Sequence, residues 1–188
     1  MTTGKFKSCV YNIVHQEEIK PLWRKVSEYL KNYPERLLVA KVLVENGLNI
    51  KNGKIYCNEI EIPVVKVARV AKVDRRTVVE TLKMISKNDE LRLIFTHIRS
   101  AGISLREIAR PLNLGVVEIT PEDPKIVGIL ANAASIIAEE GISIRQALTD
   151  DPELSPEPKL TLIANRKIPG KLIPKFLKIK GVAKVSVY

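Results

Sequence analysis

Residues Leu114–Leu148 read LGVVEITPEDPKIVGILANAASIIAEEGISIRQAL. Leu114 to Thr120 is short and valine-rich, as a strand is. Pro121-Glu122-Asp123-Pro124 makes a loop. Lys125 to Glu140 is expected to be a helix burying Ile126, Ile129, Leu130, Ala133, Ile136 and Ile137, with Gly141 ending it. Ile142 to Leu148 alternates, which predicts a strand with Ile142, Ile144 and Leu148 on one side. A loop with three prolines and four acids follows, from Asp150 to Pro158. Lys159 to Ala164 is a third strand, with Leu160, Leu162 and Ala164 sharing a face. A helix from about Gly170 to Lys178 uses Leu172, Ile173, Phe176 and Leu177. After the Lys180-Gly181 turn, Val182 to Tyr188 is the last strand. The order βαββαβ lets both helices cover one face of a four-stranded sheet, a ferredoxin-like arrangement.

Working outward, the remaining 113 residues differ in charge. Residues 1–113 carry 21 Lys and Arg against 12 Asp and Glu, a net of +9, whereas 114–188 carry 10 against 9. A basic module, 1–113, is therefore expected beside a nearly neutral one, 114–188, and the basic one suits a polyanion. A solvated lysine-rich surface is the plain alternative. No run approaches the ~20 apolar residues that span a membrane, and the first dozen residues lack the apolar core of a secretion signal. A cytoplasmic protein is expected. Cys9, Cys57, His15 and His97 are isolated in sequence, so neither a disulfide nor a metal site is expected.

Within the basic module, Glu17 to Asn32 reads as a helix carrying Ile19, Leu22, Trp23, Val26 and Leu30, with Pro21 in its first turn. Pro34 opens a second helix, in which Leu37, Leu38, Lys41, Val42 and Glu45 alternate an apolar and a wet face, and Gly47 stops it. Asn52-Gly53 between β-prone runs signals a hairpin. That hairpin is either a wing touching phosphates through Lys51 and Lys54 or a structural ribbon. Ile60-Glu61-Ile62 is a third short run.

The segment Pro63–Ile85, PVVKVARVAKVDRRTVVETLKMI, predicts two short helices and a tight turn. The first runs from Val64 to about Ala71. Asp74 caps the second at Arg75, because its carboxylate can accept a bond from an exposed N–H of the first turn. Val67, Val73, Val78 and Leu82 would share a core, with Ala68 small where the helices meet. This resembles a DNA-binding helix-turn-helix at about 63–86, with Lys72 where a turn glycine is often found. In such a unit Arg75, Arg76, Thr77 and Glu80 lead the second helix into the major groove, and Lys66, Arg69 and Lys72 lie near phosphates. The bland reading, a merely solvated first turn, must explain cations placed against the helix dipole. Leu91, Ile94, Phe95 and Ile98 mark a further helix ended by Gly102. Ser104 and Glu107 form a capping box for a short helix that Pro111 closes.

The run Gly128–Ile144, GILANAASIIAEEGISI, together with the ending Lys180-Gly181-Val182-Ala183-Lys184-Val185, resembles the ACT family over residues 114–188. A glycine precedes an apolar pair, an alanine-rich helix follows, and a second glycine leads into an apolar-polar-apolar strand. What this resemblance implies is a sensing domain that pairs into a homodimer and binds a small molecule, an amino acid by class, between paired domains. The first element of that site would be the loop Glu122 to Ile129, with Glu122, Asp123, Lys125, Val127, Gly128 and Ile129. The second would be Ser143, Ile144 and Arg145. Ser143 stands where many amino-acid-binding members carry Asn, and some relatives only dimerise.

No nucleophile motif, phosphate loop or dinucleotide fingerprint is present in the sequence, so no enzyme and no cofactor are expected. The α+β chain thus resembles archaeal and bacterial proteins regarded as regulators of amino acid metabolism. Double-stranded DNA and a small-molecule effector are the expected partners. The alternative is a regulatory subunit whose helical part binds an enzyme.

Overall fold

The computed structural model describes residues 21–188. The expected helix start at Glu17, with Ile19, and also Cys9 and His15, lie outside the described residues. Helix α1 (Leu22–Leu30) buries Val26 and Leu30, and Pro21 stands at its N-cap rather than inside it. Helix α2 (Pro34–Glu45) buries Val39, Ala40, Leu43 and Val44. Leu38, expected inside, is 48% exposed. Apolar residues ring α2 almost completely, so periodicity cannot orient it. Its position between α1, α3 and α4 selects the buried face.

Helix α2 ends at Gly47, whose φ is +58°. The amides of Gly47 and Leu48 bond the carbonyls of Val44 and Leu43, the paired closure of a left-handed helix end. Strands β1 (Asn49–Lys51), β2 (Lys54–Cys57) and β3 (Ile60–Ile62) then form an antiparallel meander. Asn52 and Gly53 both have positive φ, as the expected type I′ turn requires. Helices α3 (Val64–Ala71), α4 (Arg75–Lys87) and α5 (Asp89–His97) complete this part. Leu30, Leu43, Ile55, Val78, Ile85, Leu91 and Phe95 are among the buried side chains of one shared core.

The connection to the next sheet departs from expectation. Residues 98–114 contain no α-helix, only turns, although Ser104 Oγ does accept from the Arg106 amide at 3.3 Å. The physical reason is Pro111. It has no N–H to bond the Glu107 carbonyl, and its ring crowds that carbonyl. Asn113 closes the turns with φ +53°, and its amide and that of Leu114 bond the Arg110 and Ala109 carbonyls.

Strands β4 (Gly115–Pro121), β5 (Ile144–Thr149), β6 (Leu160–Ala164) and β7 (Val182–Val187) form an antiparallel sheet ordered β5-β6-β4-β7. Helix α6 (Ile129–Glu139) follows β4, and a 3-10 turn (Gly170–Leu172) continues into α7 (Ile173–Leu177) before β7. The fold is α+β, with a ferredoxin-like βαββαβ unit. Ala133, Ile137, Leu172 and Phe176 from the helices meet Val117, Ile119, Leu162 and Ala164 from the central strands. Leu177, expected inside, is half exposed.

Two local details correct the expected pattern. Helix α6 starts at Ile129, not Lys125, because Gly128 adopts φ +90° and breaks the helical path. Leu130 is consequently half exposed. In β5 the register slips between Ile144 and Gln146, which makes Arg145 the extra residue of a bulge. Ile144 pairs with Ala164 on the helix-covered face, whereas Leu148 pairs with Thr161. The bulge therefore puts Leu148 on the face opposite Ile144, since one extra residue inverts the alternation. At the C-terminus of α6 the Arg166 guanidinium donates to the Glu140 and Gly141 carbonyls at 3.0 and 3.2 Å.

Gly47 is hemmed in by backbone. A Cβ there would lie 2.5 Å from the Ser100 backbone nitrogen, and backbone cannot swing aside as a side chain can. Gly47→Ala should cost about 2–4 kcal/mol, combining the strain of positive φ with overpacking. Urea denaturation checks this; a loss under 1 kcal/mol would show that the 99–100 segment yields freely.

Candidate functional site

Helices α3 and α4 meet through Val67, Ala68, Val78 and Leu82, all buried, with Val73 packed at the edge. The turn between them is built on Lys72, which takes the left-handed conformation at φ 55°, ψ 42°. Its amide and that of Val73 bond the carbonyls of Arg69 and Ala68, so a lysine does what a glycine does in a left-handed helix ending. Asp74 then caps α4, accepting from the Arg76 amide at 2.7 Å.

The candidate DNA contacts divide into two groups. Lys66, Arg69, Lys72, Arg75 and Arg76 are all exposed, and none has an ion-pair partner among the described residues. Arg75 and Arg76 open a helix with no acid in its first turn, where unpaired positive charge is disfavoured by several tenths of a kcal/mol. Thr77 and Glu80 are already engaged. The Thr77 hydroxyl donates to Glu35 at 3.1 Å and so ties the first turn of α4 to the first turn of α2. Glu80 pairs with Lys83 at 3.1 Å. Periodicity alone had no means of placing Glu35 there, because the contact spans 42 residues.

The hairpin sits at the other end of α4. Its turn, Lys51 to Gly53, shares a cavity wall with Ile85 and Ser86, about 15 Å along the helix from Arg75 at 1.5 Å per residue. Lys54 is bonded to Glu61 at 2.8 Å, which holds its ammonium pKa above the ordinary lysine value. Lys51 lies 3.6 Å from Glu59 and over the Tyr56 ring. Both lysines therefore have anionic partners within the ribbon, as a structural ribbon would use them.

The two candidate effector elements lie at opposite ends of the second sheet. The loop Glu122 to Ile129 follows β4 where Thr149 and Leu160 also end, and a cavity of about 180 Å³ there is flanked by Gly128, Ile129, Asp150 and Lys159. Asp123 spends one carboxylate oxygen on the Lys125 amide at 2.9 Å. Glu122, Lys125 and Val127 are exposed, Val127 to 92%, while Ile129 is buried. Ser143, Ile144 and Arg145 lie past the far end of α6, roughly 16 Å of helix away. A single chain does not bring the two elements together. Ser143 and Arg145 are exposed, and Ile144 turns toward the core.

Three substitutions test the turn. Asp74→Ala should lose about 1 kcal/mol of stability through its cap. Arg76→Ala should lose none, because it removes a charge that opposes the helix dipole. Lys72→Gly should gain roughly 0.5–1 kcal/mol by relieving the left-handed conformation. Thermal unfolding of the three variants reads all of these, and a destabilised Arg76→Ala would mean that this arginine serves the fold.

No protein-family model matches the chain, and no curated protein matches it. Among solved structures, the chain is similar to a transcriptional regulatory protein of Pyrococcus furiosus, a member of the ASNC family. That match has 11% identity and a TM-score of 0.26, covering 90% of this chain and 88% of that one. It is also similar to a transcriptional regulator of Neisseria meningitidis in an L-Met complex, at 11% identity and a TM-score of 0.25, covering 82% and 86%. Likeness at this level leaves function to be argued from the residues themselves.

Proposed function

We propose that this protein is an effector-responsive regulator that binds double-stranded DNA through α3 and α4. The observation that carries the reading is the set of five exposed cations around the turn that have no ion-pair partner among the described residues: Lys66, Arg69, Lys72, Arg75 and Arg76. Arg75 and Arg76 sit where fold stability alone would favour acids. At the N-terminus of a groove-entering helix they meet guanine edges, and the three cations of α3 and the turn meet phosphates.

Residues 114–188 serve in this reading as an ACT-like sensing unit, with 1–113 as the reading unit. Two copies pair through the sensing units, which unites the Glu122–Ile129 loop of one with the Ser143–Arg145 strand start of the other. An amino acid bound there, its carboxylate on the free amides before α6, favours one spacing of the two α4 helices. DNA affinity follows by population shift. The regulated process would be amino acid metabolism.

One observation favours a different partner. Val65 and Val70 are 48% and 64% exposed on α3, between the cations, which suits a protein surface better than phosphates. A regulatory subunit bound to an enzyme is that second reading.

Selection from random duplexes, followed by fluorescence anisotropy, separates the two. The DNA reading expects a preferred half-site repeated about 34 Å apart. Arg75→Ala with Arg76→Ala should cost at least tenfold on the preferred site. Lys66→Ala and Arg69→Ala should weaken all duplexes alike, each lowering the slope of log K on log salt by about 0.9. Binding with no sequence preference that leaves the arginine variants unaffected would sink this reading. A metabolic enzyme co-purifying stoichiometrically would support the other. Thermal shifts with the twenty amino acids, repeated on Ser143→Ala and Arg145→Ala, test the effector site, and a shift retained in both variants would place the effector elsewhere.

A further inference from the structure

The helices α6 and α7 cover one face of the second sheet. The other face carries a buried carboxylate, Glu118, whose side chain is only 6% exposed. Two groups hold it. The Tyr188 hydroxyl donates to Oε2 at 2.8 Å, and the Arg106 Nε lies 2.5 Å from Oε1, off the line of a well-directed hydrogen bond. Arg106 comes from the turns that join α5 to β4, so this pair ties the connection to the sheet. Gln146 adds two bonds on the same face, donating to the Ile103 carbonyl at 2.6 Å and accepting from the Leu105 amide at 2.9 Å.

Beside this pair is a cavity of about 740 Å³, bounded by the connection on one side and by the sheet and Lys167 on the other. Its size falls within the usual range of small-molecule sites, roughly 300–1,000 Å³. Ala109, Leu114 and Val116, all nearly fully buried, give it an apolar floor. Arg106, Arg110 and Lys167 line its rim with Tyr188. Among the described residues Glu107 is the one acid in the lining, and it lies 3.9 Å from Arg106 with its side chain 85% exposed. Arg110 and Lys167 have no ion-pair partner among the described residues, and the Arg106 Nε lies toward Glu118, with the arginine side chain 46% exposed. The cavity thus combines a guanidinium held by Glu118, two cations without an ion-pair partner among the described residues, and an apolar floor. A planar guanidinium fork matches a carboxylate, and the floor needs an apolar group to cover it.

We propose that this cavity binds a small carboxylate with an apolar tail, and that the bound carboxylate bridges the connection, through Arg106 and Arg110, to the loop after β6 at Lys167. Glu118 is its positioning residue: it touches no ligand but holds Arg106 and Tyr188 in place. The site is separate from the Glu122–Ile129 and Ser143–Arg145 elements, and its existence does not depend on DNA binding.

Calorimetry and thermal shift on the full chain test this, with 4-methylpentanoate as probe and inorganic phosphate and matched sodium chloride as comparators. The expected result is saturable binding of 4-methylpentanoate, at least fivefold tighter than phosphate, and no shift from chloride. Arg110→Ala and Lys167→Ala should each weaken it about tenfold without lowering the melting temperature of the free protein, because both side chains are exposed at the rim and have no ion-pair partner among the described residues. Ser143→Ala should leave it unchanged. No binding at millimolar probe, or binding untouched by both rim variants, would overturn the site. Phosphate binding as tightly as 4-methylpentanoate would overturn the carboxylate-and-tail assignment, and loss of binding in Ser143→Ala alone would assign the probe to the other site. None of these outcomes depends on whether the chain binds DNA.

Discussion

A carboxylate buried on a β-sheet face must be neutralised, and Glu118 meets that requirement with groups from two distant parts of the chain. Tyr188 reaches it from the end of β7 and Arg106 from the turns before β4. Leaving a buried charge without its partner costs up to several kcal/mol. The cost is smaller here because Arg106 remains half exposed, where solvent screens the pair. Even so, the constraint draws residues 103–114 onto the sheet. Leu105, Ala109, Leu114, Val116 and Ile163 then close a small third core under them. The Glu118 pair, the two Gln146 bonds and this small core together hold the connection against the sheet.

The helical part relies on a different compromise. Its core is well filled, with Phe95, Leu43, Ile55 and Ile85 essentially inaccessible, and each such side chain contributes roughly 1.5–3 kcal/mol by leaving water. Against that background the turn at Lys72 gives up a little stability. A lysine takes a left-handed conformation, and two arginines face the positive end of a helix dipole, offset by one capping aspartate. Sites that break local rules without a structural gain are where function is sought. The two parts also touch through the acidic loop after β5, where Glu153 accepts from the Arg24 amide at 3.3 Å and Leu154 packs on the first core. The sheet unit therefore meets the helical part at two places, this loop and the connection.

Much of this was legible where a local rule has only one outcome. Asp74 can cap only the helix that follows it, Asn52-Gly53 closes a hairpin in either reading, and Leu160, Leu162 and Ala164 share a face by simple alternation. The failures have specific causes. Helix α2 has apolar residues on nearly every side, so its inward face waited on its neighbours. Gly128 was read as part of a helix that its left-handed conformation excludes. The Arg145 bulge inverted the second half of β5, which no count of alternating residues reveals. Ser104 and Glu107 had the spacing of a capping box, but Pro111 left them no helix to cap.

By itself the chain determined most of its secondary elements in order, the helix at Ser104 excepted, the ferredoxin-like connectivity, the tight turn between α3 and α4 and the concentration of positive charge in its first 113 residues. These follow from nearest-neighbour backbone preferences and from burial periodicity, both of which are local. Only the tertiary structure decided that Thr77 leans on Glu35, that the hairpin tip lies beside the far end of α4, that the two effector elements are separated within one chain, and that Glu118, Arg106 and Tyr188 converge. Each of those is a contact between residues distant in sequence. Its energy depends on distance and burial, which exist only once the chain has closed on itself.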